Sequence, residues 1–327
     1  MRLIRRPVLC NYYVTYRCNA TCGFCDIWER PSAYATVENV RQNLADLRRL
    51  GVRVIDFTGG EPLLHRQLDQ LLVLAKEFGF ITTLTTNALL YPKYAERLRG
   101  KVDMLHFSLD SPVREEHDRS RGVPCFDALM RSVQIAGELG ERPDILFTVF
   151  EHTAHRIRQA WEEICLPHNL VLILNPAFDY HTVQTGGKLS DATLTDLLAW
   201  GKRKNVYLNE GFVALRRDGG NRIQQPVCRA GSTTLVISPE NNLVLPCYHL
   251  GLESLPIEGQ LYALYRSERV RQLVALEGRL PACEGCAINC YMQPSFAVEM
   301  NKYWWKALPS TLKYNRMKGT WKALVGW

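Results

Sequence analysis

The first two thirds of the chain alternate between short apolar runs typical of strands and longer segments with helical spacing. The strand-type runs are residues 11–16, 52–57, 81–86, 102–109, 145–150 and 170–174, and the helical segments are residues 40–50, 68–75, 126–139, 154–165 and a last one from Ser190. Such alternation is typical of parallel sheets and barrels. The pattern therefore predicts an α/β fold whose ligands bind at the C-terminal ends of the strands.

Three cysteines follow the first of these strands. Cys18, Cys22 and Cys25 have a CxxxCxxC spacing. Three thiolates on so short a loop can hold three irons of a [4Fe-4S] cube and leave the fourth iron open for chemistry. Two alternatives remain from spacing alone: a structural zinc site, which takes four ligands in a closed tetrahedron, and three unrelated buried thiols.

A glycine-rich turn follows the second strand, with the sequence TGGEP from Thr58 to Pro62. Paired glycines let a backbone approach a ligand closely, and a carboxylate such as Glu61 is a charge-assisted partner for an ammonium group. Alone, GGEP is also compatible with an ordinary turn. Its order and separation relative to the cysteine loop make the two motifs a strong signal together.

The combination resembles the radical S-adenosylmethionine (SAM) superfamily, which has CxxxCxφC with an aromatic residue at φ, here Phe24, and then GGEP. The resemblance implies an open, TIM-like (β/α)6 partial barrel over residues 1–205. It also implies that the three cysteines bind a [4Fe-4S] cluster whose open iron chelates SAM. The residues expected at the SAM amino group are Gly59, Gly60, Glu61 and Pro62.

Further positions match family features individually. Asn87 follows the third strand, where the family has Thr-Asn-Gly and this chain has Ala88. Ser108 and Asp110 lie where relatives contact the SAM ribose or carboxylate. The HDxxRG sequence that contains Arg121 occurs in many members with auxiliary clusters, and a guanidinium suits a carboxylate. A solvated, helix-capping loop is the alternative for this sequence.

A second cysteine-rich region begins after residue 205. Cys228 and Cys247 flank two strand-like runs, so a hairpin would bring their thiols together. The region resembles the twitch and SPASM domains of radical SAM enzymes, which implies a small, cysteine-rich α+β auxiliary domain over residues 206–300. We expect one auxiliary [4Fe-4S] cluster, bound by Cys228, Cys247, Cys283 and Cys286, with Cys290 as a substitute ligand. A zinc ion on the same thiolates is the alternative.

Composition and charge restrict the partners only weakly. The chain has 327 residues, 46% of them apolar, and a net charge of +7, which suits an acidic partner but does not require one. No apolar run has the length of a membrane span, and the N-terminus does not resemble a signal peptide. With cysteines clustered as metal ligands, we expect a cytoplasmic protein. Cys10, Cys125 and Cys165 receive no role.

The tail, residues 301–327, combines aromatic residues with lysines and lacks acids, as in Tyr303-Trp304-Trp305-Lys306. We favour a C-terminal helix that packs on the barrel. Alternatives are an amphipathic helix giving peripheral membrane contact, and base stacking on a nucleic acid, which is not expected.

The resemblance implies that an electron from a donor such as flavodoxin or ferredoxin cleaves SAM into methionine and a 5′-deoxyadenosyl radical, which abstracts hydrogen from a substrate. An auxiliary cluster would favour an oxidation or a cross-link. Peptide, sugar and lipid-like substrates remain open, and no catalytic residue is assigned. Residues 175–181 follow the sixth strand, so they should face the barrel mouth, where they could line the substrate pocket. The alternative for Phe178, Tyr180 and His181 is that they are ordinary loop residues. The rival hypothesis is a non-catalytic iron-sulfur or zinc module that contacts RNA or a membrane surface.

Overall fold

The structure is a computed structural model, and it describes residues 3–4, 6–179 and 188–319. The first part of the chain contains β1 Leu9–Thr15, α1 Val37–Leu50, β2 Val54–Gly59, α2 Leu68–Glu77, β3 Ile81–Thr86, α3 Tyr91–Leu98, β4 Met104–Leu109, α4 Arg114–Arg121, α5 Phe126–Glu138, β5 Asp144–Val149, α6 Ile157–Gln159, β6 Leu172–Pro176 and α7 Asp191–Gly201. The remainder contains β7 Val206–Tyr207, α8 Glu210–Arg217, α9 Ala230–Thr233, β8 Thr234–Ile237, β9 Asn242–Leu245, β10 Glu253–Pro256, α10 Leu261–Tyr265, α11 Glu268–Ala275, α12 Asn289–Val298 and α13 Lys302–Lys318.

The described strands form one sheet in the order β10-β9-β8-β1-β2-β3-β4-β5-β6-β7. Strands β1 to β7 are parallel neighbours, and helices connect them, which confirms the predicted α/β class. The predicted bounds of β3 match the observed strand at both ends. The other five predicted strands differ from the observed ones by one or two residues at one end or at both ends. The HDxxRG sequence was expected in a loop, but most of it lies in helix α4.

The two faces of the parallel sheet differ in polarity. Ile55 and Phe57 of β2 are buried in the apolar core, together with the inner faces of the helices. Because side chains alternate along a strand, Asp56 and Thr58 point to the other face. Thr83 of β3 shares that face and donates a hydrogen bond to Asp56. The interior of the partial barrel is therefore lined by polar groups near the middle of the sheet.

The hairpin that carries two of the late cysteines extends the barrel sheet. Strand β8 pairs with β1 in parallel, with Cys10 opposite Leu235, and β9 returns antiparallel to β8. The late cysteine region is thus joined to the barrel by main-chain hydrogen bonds. No pattern in the sequence indicated this pairing, and the boundary at residue 205 remains a prediction.

Helix α13 packs against the barrel, as the favoured interpretation of the tail predicts. Lys313 Nζ donates to the carbonyl oxygens of Gly201, Arg203 and Val206 at 2.6 to 2.9 Å. The hydroxyl of Tyr314 donates to Asp144 at 2.6 Å. The tail residues Trp321, Lys322 and Trp327 lie outside the described residues. Among the described helices, none combines the length and apolar character that a bilayer-spanning segment needs.

Candidate active site

The three early cysteines lie on the loop that leaves the C-terminal end of β1. The Ala20 N–H donates to Cys18 Sγ at 3.4 Å, the Ile27 N–H faces the Cys25 thiol, and the Arg121 guanidinium faces the Cys22 thiol. Donors of this kind stabilise sulfur ligands once they bind a metal. Each of the three thiols thus has a donor, which is the environment that a thiolate cluster needs.

Burial dominates the protonation of these thiols. It raises the pKa of Cys18 to about 12 and that of Cys25 to about 11, and it also raises the pKa of Cys22 although nearby Arg121 opposes the shift. In the metal-free chain all three are therefore protonated at neutral pH. Metal binding must displace these protons, because thiolate is the form that ligates.

The end of α4 braces the cysteine loop. Thr21 donates its N–H to the Arg121 carbonyl at 3.0 Å and its hydroxyl to the Gly122 carbonyl at 3.3 Å. The Arg121 side chain pairs with Asp110 at 2.7 Å and is buried. Gly122 has φ +70°, and a Cβ there would lie 2.5 Å from the Thr21 carbonyl oxygen. Arg121 therefore binds a carboxylate, as expected, but the carboxylate belongs to Asp110 of the protein.

Glu61 has a role that the sequence did not indicate. Its carboxylate is 1% exposed and accepts hydrogen bonds from the Leu63 N–H, the Thr86 hydroxyl and the Asn87 N–H at 2.8 to 3.0 Å. Burial raises its pKa to about 6. The carboxylate thus ties the GGEP turn to the end of β3. A SAM contact by this turn remains a prediction.

The two glycines of GGEP are required by contacts within the chain. Gly59 has φ +152°, and a Cβ there would lie 2.0 Å from the carbonyl oxygen of Thr15. A Cβ on Gly60 would lie 2.4 Å from the carbonyl oxygen of Arg17. The turn that ends with Pro62 therefore packs directly on the segment that leads into the cysteine loop. We expected the glycines to let the backbone of the turn approach a ligand closely. In the structure they let it pack closely against the backbone of the segment before the cysteine loop.

The remaining predicted residues also lie around this loop. Asn87 donates its side-chain N–H to Asn19 in the cysteine loop at 2.8 Å. Ala88 adopts φ +64°, so alanine takes the left-handed conformation that glycine would favour. The Phe24 ring lies 5.5 Å from the Arg121 guanidinium carbon. Ser108 is buried at the end of β4. The predicted set thus converges at the C-terminal ends of β1 to β4.

Four of the five late cysteines line one cavity, which is open to solvent on one side. They are the four predicted ligands, Cys228, Cys247, Cys283 and Cys286. Cys290 does not line this cavity. Its sulfur lies 3.8 Å from His249 Nε2, and the Phe178 ring packs edge-on against the same imidazole. Tyr180 and His181 of the predicted pocket segment lie outside the described residues.

Asn221 organises the late cysteine loops and was not identified from the sequence. Its fully buried side chain donates to the carbonyl oxygens of Gly278 (2.8 Å) and Cys283 (3.1 Å), and it accepts from the N–H groups of Val227 (3.0 Å) and Cys228 (3.2 Å). Its own N–H donates to the Cys286 carbonyl at 2.9 Å. The side chain thus holds the segments of Cys228 and Cys283 together, and the backbone N–H of the same residue adds a contact to Cys286. The only local sequence signal was the preceding Gly219-Gly220 pair.

The four late thiols that were predicted as ligands lie around one cavity. Within the described ranges, no three His, Cys, Asp or Glu side chains are placed to hold a single metal ion. A zinc ion requires sulfur atoms at about 2.3 Å from one centre. The three cysteines of the early loop do not form such a group either.

One apolar cluster connects the two cysteine sites. It contains Cys228 and Cys247 of the late site, and Cys25 packs against it from the early site. Tyr13, Tyr248 and Tyr291 belong to the same cluster. The two sites are therefore separated by packed aromatic side chains.

Comparison with known proteins identifies the family. Residues 12–162 match the family model described as "Radical SAM superfamily". This segment of the chain is a radical SAM domain. Radical SAM proteins use a [4Fe-4S] cluster and SAM, and the early cysteine loop lies inside the matched segment.

The chain is similar to several curated radical SAM relatives. It is 24% identical to the antilisterial bacteriocin subtilosin biosynthesis protein AlbA of Bacillus subtilis, over 95% of this chain and 72% of the relative. It is 28% identical to a probable GTP 3′,8-cyclase of Saccharolobus solfataricus, over 79% of this chain and 82% of that protein. A probable GTP 3′,8-cyclase of Archaeoglobus fulgidus is 32% identical, but the match spans only 40% of this chain and 45% of the relative.

Two solved structures share the fold. Streptococcus suis SuiB bound to precursor peptide SuiA has a TM-score of 0.67 at 19% identity, over 83% of this chain and 67% of SuiB. The enzyme anSMEcpe with bound AdoMet has a TM-score of 0.65 at 17% identity, over 96% of this chain and 95% of that one. At these identities the likeness establishes the fold, including the C-terminal region.

Proposed function

We propose that the chain is a radical SAM enzyme that oxidises or cross-links a peptide, with one cluster at Cys18, Cys22 and Cys25 and a second at the four late thiols. The observation that carries this proposal is the early loop. It presents three thiols with their own donors, and the GGEP turn and α4 hold it in place. No catalytic residue is proposed for the step on the substrate.

When bound, the reduced cluster and SAM together would supply the 5′-deoxyadenosyl radical of this family's chemistry. The chain's own residues do the rest. Arg121 and the backbone donors stabilise the sulfur ligands, while Glu61 and Gly60 fix the turn that faces the loop. The Phe24 ring packs on the buried side chains of Phe150 and Arg121 beside the loop. An external donor such as flavodoxin or ferredoxin would supply the electron.

The peptide class is supported by several of the similar proteins. SuiB is described as bound to a precursor peptide, anSMEcpe is described with a bound Kp18Cys peptide, and AlbA is named for bacteriocin biosynthesis. The polar interior face near Asp56 and Thr83 offers hydrogen-bond partners for a main chain. Sugar and lipid-like substrates are the alternatives that the experiment must exclude.

Deuterium transfer separates these substrate classes. The reconstituted protein, SAM and a reductant are incubated with extract fractions of fully deuterated cells, and 5′-deoxyadenosine is analysed by mass spectrometry. We expect deuterium in 5′-deoxyadenosine with the peptide fraction, and loss of that label when the fraction is first digested with protease. Label that survives protease, or that comes only from the sugar or lipid fraction, would contradict a peptide substrate.

The late thiols are proposed to hold an auxiliary cluster that accepts the electron left on the substrate. Cys228→Ala and Cys283→Ala should each lower iron by about four atoms per chain. Both variants should still form 5′-deoxyadenosine but should lose product. Full substrate turnover by both variants would remove the electron-acceptor role, and zinc at the late site of the unmodified protein would remove the cluster itself.

A further inference from the structure

Tyr248 connects the two cysteine sites and is assigned no role by the function proposed above. It directly follows Cys247, a thiol of the late site. Its ring stacks on Tyr13 of β1, with centroids 4.3 Å apart, and the Arg30 guanidinium carbon lies 4.8 Å from its centre. Its N–H donates to the Tyr291 hydroxyl at 2.9 Å. The ring is therefore held firmly from several sides.

The hydroxyl of Tyr248 is buried without a hydrogen-bond partner among the residues that the structure describes. The whole side chain is only 6% exposed. Buried hydroxyls in native proteins are nearly always hydrogen-bonded, since an unpaired polar group is costly to remove from water. An isolated hydroxyl in so well packed a position indicates a partner that the polypeptide itself does not supply.

The surroundings of this hydroxyl belong to the early cysteine loop. Burial raises the pKa of Tyr248 most, and the neighbouring Asp26 carboxylate and Cys25 thiol raise it further, while Arg30 lowers it. A tyrosine hydroxyl can donate one hydrogen bond. Asp26 is paired with Arg30 at 3.4 Å. No described residue on this side, Asp26 included, accepts from the Tyr248 hydroxyl. Cys25 of the early loop packs against the same cluster as Tyr248 and is a neighbour of this hydroxyl.

We propose that the Tyr248 hydroxyl donates a hydrogen bond to a sulfur of the cluster held by Cys18, Cys22 and Cys25. This inference rests on the proposed function, because it requires a cluster at that loop. A donor to sulfur stabilises the more negative, reduced form of a cluster and so raises its reduction potential. Tyr248 is therefore a positioning residue that links the loop of the late site to the redox properties of the early site.

The test is an EPR-monitored redox titration of the full, reconstituted chain with and without SAM. The signal that changes when SAM is added reports the early cluster. Tyr248→Phe removes only the hydroxyl and keeps the stack on Tyr13. The matched control is Tyr12→Phe, because Tyr12 lies on the opposite face of β1, where its hydroxyl accepts from Asn43 at 2.8 Å. Iron content is measured for every sample.

We expect the midpoint potential of the SAM-responsive signal to shift to a lower value in Tyr248→Phe and to stay unchanged in Tyr12→Phe. Tyr248→His, which keeps an aromatic N–H donor, should return the potential toward that of the unmodified protein. An unchanged potential in Tyr248→Phe at equal iron content would overturn the hydrogen bond and leave the proposed function intact. A chain with no SAM-responsive signal would overturn the proposed function and this inference with it.

Discussion

Asn221 holds the late cysteine loops with every hydrogen-bonding group of its side chain. Asn221→Ala should leave the buried N–H groups of Val227 and Cys228 without a hydrogen-bond acceptor. This should lower the free energy of unfolding by about 2 kcal/mol or more. The larger expected effect is the loss of about four irons per chain, because the segments that carry Cys228 and Cys283 lose their common support. Iron analysis and denaturant unfolding measure the two effects.

Asn209→Ala is the control for that variant. Asn209 is also a buried asparagine, but its side chain caps α8 by accepting from the Phe212 N–H at 3.0 Å. Its replacement should cost about 1 kcal/mol and leave the iron content unchanged. Equal iron contents in the two variants would show that Asn221 does not organise the late site.

Asp56 provides a pH-dependent test of the polar barrel interior. Burial raises its pKa from 3.8 to about 6. Between these values the unfolded chain loses this proton and the folded chain keeps it, so stability falls as pH rises through the window and stays lower above it. Asp56→Asn keeps an acceptor for Thr83 and should raise the free energy of unfolding by about 2 kcal/mol at pH 7.5, with little change at pH 4. Urea unfolding at the two pH values measures the difference. If Asp56→Asn did not raise the free energy of unfolding at pH 7.5, the Asp56 carboxylate would have to be better solvated than the structure indicates.

Single residues differ in how well the sequence predicts them. The cysteines and the glycine pair were identifiable because each motif is local and its spacing carries the chemistry. Asn221 and the pairing of Arg121 with Asp110 depend on contacts between separate segments, and no local pattern marks them. Glu61 was found, but its partners on β3 give it a bracing role that the motif alone does not indicate.

At the scale of elements, apolar periodicity was a good guide where one face of an element is buried. Helix α1 ends at Gly51 with φ +95°, as its spacing indicates. Helix α4 was missed because its sequence, REEHDRSR, has no apolar stripe. It buries only His117 and Arg121, and both serve the contacts with Asp110 and the cysteine loop.

The contact between α4 and the cysteine loop can be tested by a pair of glycine variants. Gly122 and Gly140 both have positive φ after a helix, but a Cβ on Gly140 would meet nothing within 4 Å. Gly140→Ala should therefore cost only about 1 kcal/mol for the left-handed backbone. Gly122→Ala should cost more and should also lower the iron bound by the early loop, because its Cβ meets the Thr21 carbonyl. Unfolding free energies and iron content are measured for both variants. Equal losses of stability and of iron in the two variants would contradict the supporting contact between α4 and the cysteine loop.

At the scale of the whole molecule, one sheet carries both cysteine sites. Strand β8 lies beside β1, so the early loop and the late hairpin leave neighbouring strands. The sequence showed the change of character near residue 205, but it did not show the pairing, since strands far apart in sequence carry no signal of their partner. This arrangement places Tyr248 and Tyr13 between the sites. Communication between two clusters is therefore expected through packed aromatic side chains.

The central claim is that the early cysteine loop performs reductive SAM cleavage, and the most direct measurement is 5′-deoxyadenosine formed by the reconstituted, reduced protein. The comparison is between the unmodified chain, Cys22→Ala and Cys165→Ala, the last being a buried cysteine in the core outside both sites. We expect product from the unmodified chain and Cys165→Ala, and none above background from Cys22→Ala. If the unmodified chain forms no 5′-deoxyadenosine although its iron is fully loaded, or if Cys22→Ala forms as much, the account is contradicted.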